Sequence, residues 1–260
     1  MPEAAVARYP IVSTTRVARD HVEIILDAPA LSQATPAQFV HVRTPGTLRR
    51  PISFSRIDPH RGHVGLLFQI VGHGTAWLAE QPKGTRLDVL GPLGNGFGVP
   101  EAGRPWCLVG GGVGIPPLYA AAQAWGDRMK APIHAILGAR TADYVIMRED
   151  FETMLAGPVE ITTDDGSLGL KGTVLGPLAR WHARHPDGQV YACGPTPMLA
   201  AVANLLRGTG RAYLALEQRM GCGVGACLAC VVLANGDDGP EWRRVCHDGP
   251  VFSAEELIWS

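Results

Sequence analysis

Four cysteines near the C-terminus, Cys222, Cys227, Cys230 and Cys246, are spaced C-x4-C-x2-C-x15-C. Thiolates are soft ligands, and four of them suit zinc or an iron–sulfur cluster. Structural zinc sites usually pair two short hooks across a longer gap. Here three cysteines crowd into one segment, the plant-type ligand pattern of a [2Fe–2S] cluster. Gly221, Gly223, Gly225 and Ala226 lie among them. Small residues let backbone N–H groups approach the sulfurs, and such bonds tune the potential. Disulfides are the weakest alternative, because the first ten residues, MPEAAVARYP, lack the apolar stretch of a secretory signal. A [2Fe–2S] cluster carries one electron at a time and makes no bond to a substrate. The rest of the chain must therefore supply a source and a sink.

Upstream, Arg49-Arg-Pro-Ile-Ser-Phe-Ser55 places Arg50 three residues before Ser53. An arginine fork can neutralise a diphosphate, and a serine beside it can hydrogen-bond a ring edge or a phosphate. Gly72-His-Gly-Thr75 follows a strand-like run and precedes a short helical one, where N–H groups could meet a second phosphate. Gly110-Gly-Gly-Val-Gly114 follows a strand and opens a helix, the place where a parallel sheet binds a dinucleotide. Its spacing is not the Rossmann G-x-G-x-x-G. Gly111, Gly112 and Gly114 are the candidates there. Cys193-Gly-Pro-Thr-Pro-Met198 repeats this context at another strand end, so Cys193 and Gly194 are expected on the same crevice. Asp164, ending a further strand beside Asp165, could hold a ribose diol and favour NAD over NADP. Arg140 and Lys171 leave that choice open.

The elements that must position these groups change character along the chain. Residues 1–100 read as short strands with close turn signals, the pattern of a small antiparallel barrel. Residues 101–216 alternate strands and helices, which means a parallel sheet covered on both faces. Helices are expected near 75–80, from 114 to about 125, and over 144–155, 174–183 and 197–206. Residues 217–260 carry the cysteines, and a metal is expected to supply much of their folding energy. The expected fold is thus β plus α/β: a small antiparallel barrel, a parallel-sheet nucleotide-binding domain and a small [2Fe–2S] domain.

The 260 residues are 46% hydrophobic and 18% charged, with a formal net charge of −1. That balance fits a full core and gives no reason to expect nucleic acid or an anionic membrane as partner. No run approaches the roughly 20 apolar residues of a membrane span. Cys107 and Cys193 sit in or beside apolar runs and read as reduced thiols. A cytoplasmic location is expected.

The order R-P-x-S, G-G-G-x-G, C-G-P-x-x-M resembles the ferredoxin–NADP reductase superfamily. Residues 213–252, together with Leu48–Ser53, Leu87–Phe97 and Cys193–Leu199, more closely resemble the electron-transfer subunit of class 1B dihydroorotate dehydrogenase. The resemblance covers essentially the whole chain. It implies FAD between barrel and nucleotide domain, held by Arg50, Pro51, Ile52, Ser53, Leu67, Phe68, Gln69, Gly74 and Thr75. It implies a separate FMN-containing catalytic subunit that oxidises dihydroorotate to orotate in pyrimidine biosynthesis, in a heterotetramer of two of each chain. NAD+ is the terminal acceptor. Departures stand at Ala37, where the family often has glycine, at Phe68 and Gln69, often aromatic and basic, and at His247, often acidic. Arg219, Arg243 and Arg244 are expected to offset the cluster's negative charge. The flavin subunit of a sulfide dehydrogenase or ferredoxin-dependent transhydrogenase shares this plan. An oxygenase reductase would carry a longer ferredoxin domain. A zinc-stabilised interaction module is the non-enzymatic alternative.

Overall fold

The computed structural model describes residues 4–129 and 133–259. The N-terminal strands β1 (Ala5–Ala18), β2 (His21–Asp27), β3 (Phe39–Val42), β4 (Arg50–Asp58), β5 (His63–Gln69) and β6 (Arg86–Leu93) close a barrel in the order β1-β2-β5-β4-β3-β6. Alternation decides which side chains fill it. Val22, Ile24, Leu26, Val40, Val42, Val64, Leu66 and Phe68 point inward. Phe39, His41 and Leu67 belong to the other face, and Phe39 and Leu67 pack outside the barrel core. Helix α1 (His73–Ala79) follows β5. Ala37 takes φ +72°. A glycine would be unstrained there, whereas a Cβ at positive φ is disfavoured.

Strands β7 (Trp106–Gly111), β8 (Ile133–Ala139), β9 (Val159–Thr163), β10 (Leu170–Lys171), β11 (Gln189–Cys193) and β12 (Ala212–Ala215) form a parallel sheet ordered β10-β9-β8-β7-β11-β12. Helices α2 (Ile115–Met129), α3 (Arg148–Met154), α4 (Leu175–Arg184) and α5 (Thr196–Leu205) connect them. The helix expected over 144–155 is shorter: a single 3-10 turn at Ala142–Tyr144 precedes α3, whose N-cap Met147 is left-handed. Barrel and sheet are riveted by Arg56. It bonds Glu23 (3.0 Å) and Asp150 (2.7 Å) and lies over the Tyr119 ring at 4.9 Å.

The C-terminal segment is built into this frame. The hairpin β13 (Val231–Gly236) and β14 (Gly239–Arg244) occupies the gap before the fourth cysteine. Pairing of Val231 with Arg244 brings the flanking Cys230 and Cys246 together, and the Val245 N–H donates to the Cys230 carbonyl at 3.0 Å. Strand β15 (Val251–Ser253) then pairs antiparallel with β12 and becomes the seventh strand of the large sheet. Met220, Cys230, Val245, Cys246, Phe252 and Leu257 share one core with sheet residues such as Val109 and Leu214. The segment thus leans on buried apolar area as well as on any metal.

Candidate functional site

A cavity of about 1310 Å³ opens between barrel and sheet. Typical small-molecule pockets hold about 300–1,000 Å³, so this one has room for an extended ligand and a second beside it. Arg50, Pro51, Ile52 and Ser53 from β4 and Leu67, Phe68 and Gln69 from β5 line its barrel side. The two adjacent arginines divide their work. Both line the cavity, but Arg49 is tied to the Asp88 carboxylate at 2.7 Å, whereas Arg50 donates to the Leu48 carbonyl and has no carboxylate partner among the described residues. Gly74 sits behind Arg50: a Cβ there would come within 2.7 Å of the guanidinium Nε and 2.8 Å of Thr44 Oγ1. That Thr44 hydroxyl is buried and has no partner among the described residues. The cradle of a cation, a close-approach glycine and an orphan hydroxyl fits a phosphate group. Thr75 also borders the cavity. Its hydroxyl already donates to the Gly72 carbonyl and accepts from the Val71 and Gly72 N–H groups, so it shapes the turn.

Gly111, Gly112 and Gly114 line the sheet side with Asp164 and Cys193. They differ in purpose. Gly112 has φ +53° and open space where a Cβ would be. A Cβ at Gly114 would collide with the Cys193 carbonyl, so this glycine lets two strand-end turns touch. Gly194 packs against Met198 behind the cavity wall. Asp164 faces the cavity, while Asp165 bonds Ser167. Arg140 also lines the cavity, stacked on Tyr144 at 4.7 Å, and Lys171 is not among the lining residues.

The cavity continues toward the cysteines through Leu216, Glu217, Gln218, Arg219, Met220 and Pro250. These were not singled out in sequence as pocket residues; their place just before Cys222 was the available signal. Two loops interlock beside them. The Asn95 side chain donates to the Asp248 carbonyl at 2.9 Å and its N–H to the Gly249 carbonyl at 2.6 Å. The four sulfurs lie in two linked pairs. The Cys222 N–H donates to Cys227 Sγ at 3.4 Å, and the Cys246 N–H to Cys230 Sγ at 3.4 Å. Gly225 N–H donates to Cys246 Sγ at 3.1 Å, and Val224 and Ala226 donate to Cys222 Sγ. Burial pushes the Cys222 thiol up, but the N–H donors of Val224, Cys227 and Ala226 outweigh it and bring it down to about 6. Among the described residues no three His, Cys, Asp or Glu side chains converge as a single ion would need. Two thiolate pairs held by inward N–H groups fit a two-iron cluster.

Arg243 and Arg244 each have a carboxylate partner close by, and Cys246 and Cys230 also act on the Arg244 charge. Arg243 pairs with Glu241. Arg244 clamps Asp248 through two guanidinium bonds of 2.9 Å and reaches the Gly225 carbonyl at 3.3 Å. It braces the loop around the cysteines.

A family model described as the iron–sulfur cluster binding domain of dihydroorotate dehydrogenase B matches residues 217–258, and an oxidoreductase NAD-binding domain matches residues 108–204. The electron transfer subunit of dihydroorotate dehydrogenase B (NAD(+)) from Shouchella clausii is 42% identical, over 96% of this chain and 97% of its own. That of Geobacillus thermodenitrificans is 40% identical, over 96% and 98%. The chain belongs to the dihydroorotate dehydrogenase B electron transfer subunit family. Its cysteine segment is an iron–sulfur domain of that family, not a zinc module. A chain from the structure of the NADH-dependent reduced ferredoxin–NADP oxidoreductase is 34% identical with a TM-score of 0.83, covering 97% of this chain and 90% of that one. The ferredoxin reductase of carbazole 1,9a-dioxygenase, 23% identical with a TM-score of 0.71 over 81% of this chain and 69% of that one, shares the fold. No described helix is long and apolar enough to cross a membrane.

Cys193 is half-buried at the cavity edge, and burial, with Glu217 adding to it, pushes its thiol up to about 12. Thiolate is the reactive form, so Cys193 carries little of it near neutral pH. Iodoacetamide at about pH 8 should leave it unmodified while a free cysteine of pKa about 8.5 reacts. Mass spectrometry of the folded protein checks this; rapid Cys193 alkylation would contradict it.

Proposed function

We propose that this chain passes electrons from the FMN of a separate catalytic subunit, through a [2Fe–2S] cluster and FAD, to NAD+ as dihydroorotate is oxidised to orotate. The observation that carries this reading is the single cavity whose wall runs from Arg50 through Gly112 to Met220, next to the paired cysteines. A flavin exchanges either one or two electrons, which is what joins a one-electron cluster to a two-electron nicotinamide. Dihydroorotate loses two electrons and two protons; NAD+ takes both electrons and one proton as a hydride, and the second proton leaves to solvent.

The residues divide this work by chemistry. Arg50, backed by Gly74 and Thr44, neutralises the FAD diphosphate. Pro51, Ile52, Ser53, Leu67, Phe68 and Gln69 hold the flavin on the barrel rim, where Leu67 and Phe68 are buried and exclude water. Thr75 keeps the turn beneath it in place. Gly112 leaves the backbone open to the NAD pyrophosphate, Gly111 lets Met198 pack against the strand end, and Gly114 and Gly194 keep the two turns close. Asp164 takes the ribose diol, which favours NAD over NADP. Cys193, held as a neutral thiol, positions the nicotinamide and transfers no proton. Cys222, Cys227, Cys230 and Cys246 would hold the cluster, which would supply the one-electron relay.

Around the cysteines the surface is apolar where a subunit would dock. Val224, Leu228 and Trp242 are 48%, 61% and 66% exposed, and Cys227 is exposed among them. Isolated exposed side chains need no explanation, but Val224 and Leu228 stand on either side of Cys227 in the chain, and exposed apolar side chains beside an electron port suit an interface. A catalytic subunit with FMN, two copies of each chain, and a cytoplasmic setting complete the proposal. The 34% likeness to the ferredoxin–NADP oxidoreductase chain supports a second reading, a transhydrogenase subunit with a different partner on the same face.

Reconstitution separates these readings. NAD+ reduction by dihydroorotate should require both this chain and its co-purified FMN subunit. Activity of this chain alone, or a partner that oxidises no dihydroorotate, would contradict the assignment. Separately, Arg50→Ala should retain FAD roughly ten- to a hundredfold more weakly, the scale of losing about 1.5–3 kcal/mol of charge-assisted bonding. Flavin content after gel filtration measures it, with iron content as the control.

A further inference from the structure

His41 lies on β3, on the face opposite the barrel core, next to Phe39 (ring centroids 5.8 Å apart). It is fully buried, yet neither ring nitrogen has a partner among the described residues. A neutral imidazole carries one N–H donor and one acceptor, and burying both unpaired is costly, so such a group calls for an explanation. Its surroundings supply one. The ring packs on Gly223, between Cys222 and Val224 in the cluster loop. A Cβ at Gly223 would come within 2.7 Å of Cε1, 2.8 Å of Nδ1 and 2.9 Å of Nε2. Gly223 holds φ +75°, so both the backbone turn and the histidine require glycine here. The Val224 N–H following it already points at Cys222 Sγ, which orients this stretch of loop around the sulfurs. Burial first, and then the nearby Arg49 guanidinium, push His41 down to about 4, so the ring is neutral under ordinary conditions.

We propose that His41 is a positioning residue whose ring N–H, buried against Gly223 and without a cysteine Sγ in bonding reach among the described residues, would serve the bound cluster itself and so raise its reduction potential from the barrel side. A donor to cluster sulfur stabilises the added negative charge of the reduced form more than the oxidised form. This rests on the cluster reading above, and it adds a determinant contributed by another part of the chain, about 180 residues before the first ligand in sequence.

The test uses the holoprotein with both cofactors. His41→Phe fills the space without a donor, and His41→Gln keeps one. Redox titration with electron paramagnetic resonance reads the cluster midpoint, and absorbance reads that of the flavin. His41→Phe should lower the cluster midpoint by about 59 mV, the one-electron equivalent of a tenfold change in reduced-to-oxidised ratio. The flavin midpoint should stay put, and His41→Gln should recover part of the shift. A Phe variant with full iron and the native midpoint overturns the proposal. Should that variant fail to assemble the cluster, ¹⁵N-histidine labelling of His247→Ala protein decides the matter. A histidine nitrogen coupled to the reduced cluster supports it, and no coupling overturns it. A native protein without iron would instead overturn the cluster reading itself.

Discussion

The structure depends on one constraint: the cysteine loop must be pressed against both the barrel and the sheet. One-electron transfer weakens steeply with distance, so a cluster domain on a loose tether would fail at its task. Three contacts remove that freedom. Asn95 holds the backbone of Asp248 and Gly249, β15 pairs with β12, and His41 packs on Gly223. Each joins the C-terminal segment to a different part of the molecule. Together they set the cysteines at the end of a cavity whose other walls come from β4, β5 and the first turns of α2 and α5.

The same constraint explains the glycines that matter most. Gly114 and Gly223 are places where a neighbouring chain or ring occupies the volume of a side chain. Gly114 brings the β7 and β11 ends together; Gly223 lets the loop close over His41. Glycine is used here for close approach as much as for dihedral freedom. The barrel–sheet contact joins apolar packing of Phe39 and Leu67 to a polar rivet at Arg56. Its carboxylate partners and the Tyr119 face satisfy a guanidinium that would otherwise be costly to bury.

Much of this was legible in the sequence. The cysteine spacing carried the ligand set, and the change from close-spaced strands to strand–helix alternation carried the two larger layers. What escaped was set by contacts between distant segments. The fifteen residues before Cys246 contain a hairpin turning at Gly236–Gly239, a signal outweighed by the cysteines on either side. Strand β15 has only three residues and is a strand because β12 offers an edge. The R-P-x-S pattern singles out Arg50, but only the fold shows that Asp88 ties down its neighbour Arg49. The carboxylate partners of Arg243 and Arg244, Glu241 and Asp248, are likewise set by the folded hairpin and loop. His41 gave no signal, because its importance arises from a loop about 180 residues away.

The central claim is that flavin and cluster belong to one electrical path inside this chain. Anaerobic mixing of the isolated holoprotein with NADH tests it most directly, following flavin absorbance and the paramagnetic signal of the reduced cluster in time. The account predicts that the flavin bleaches first and the cluster signal then grows at its expense. Cys227→Ser should bleach without any later phase. A flavin that NADH reduces while a fully loaded, reducible cluster stays oxidised at equal or higher potential would contradict it.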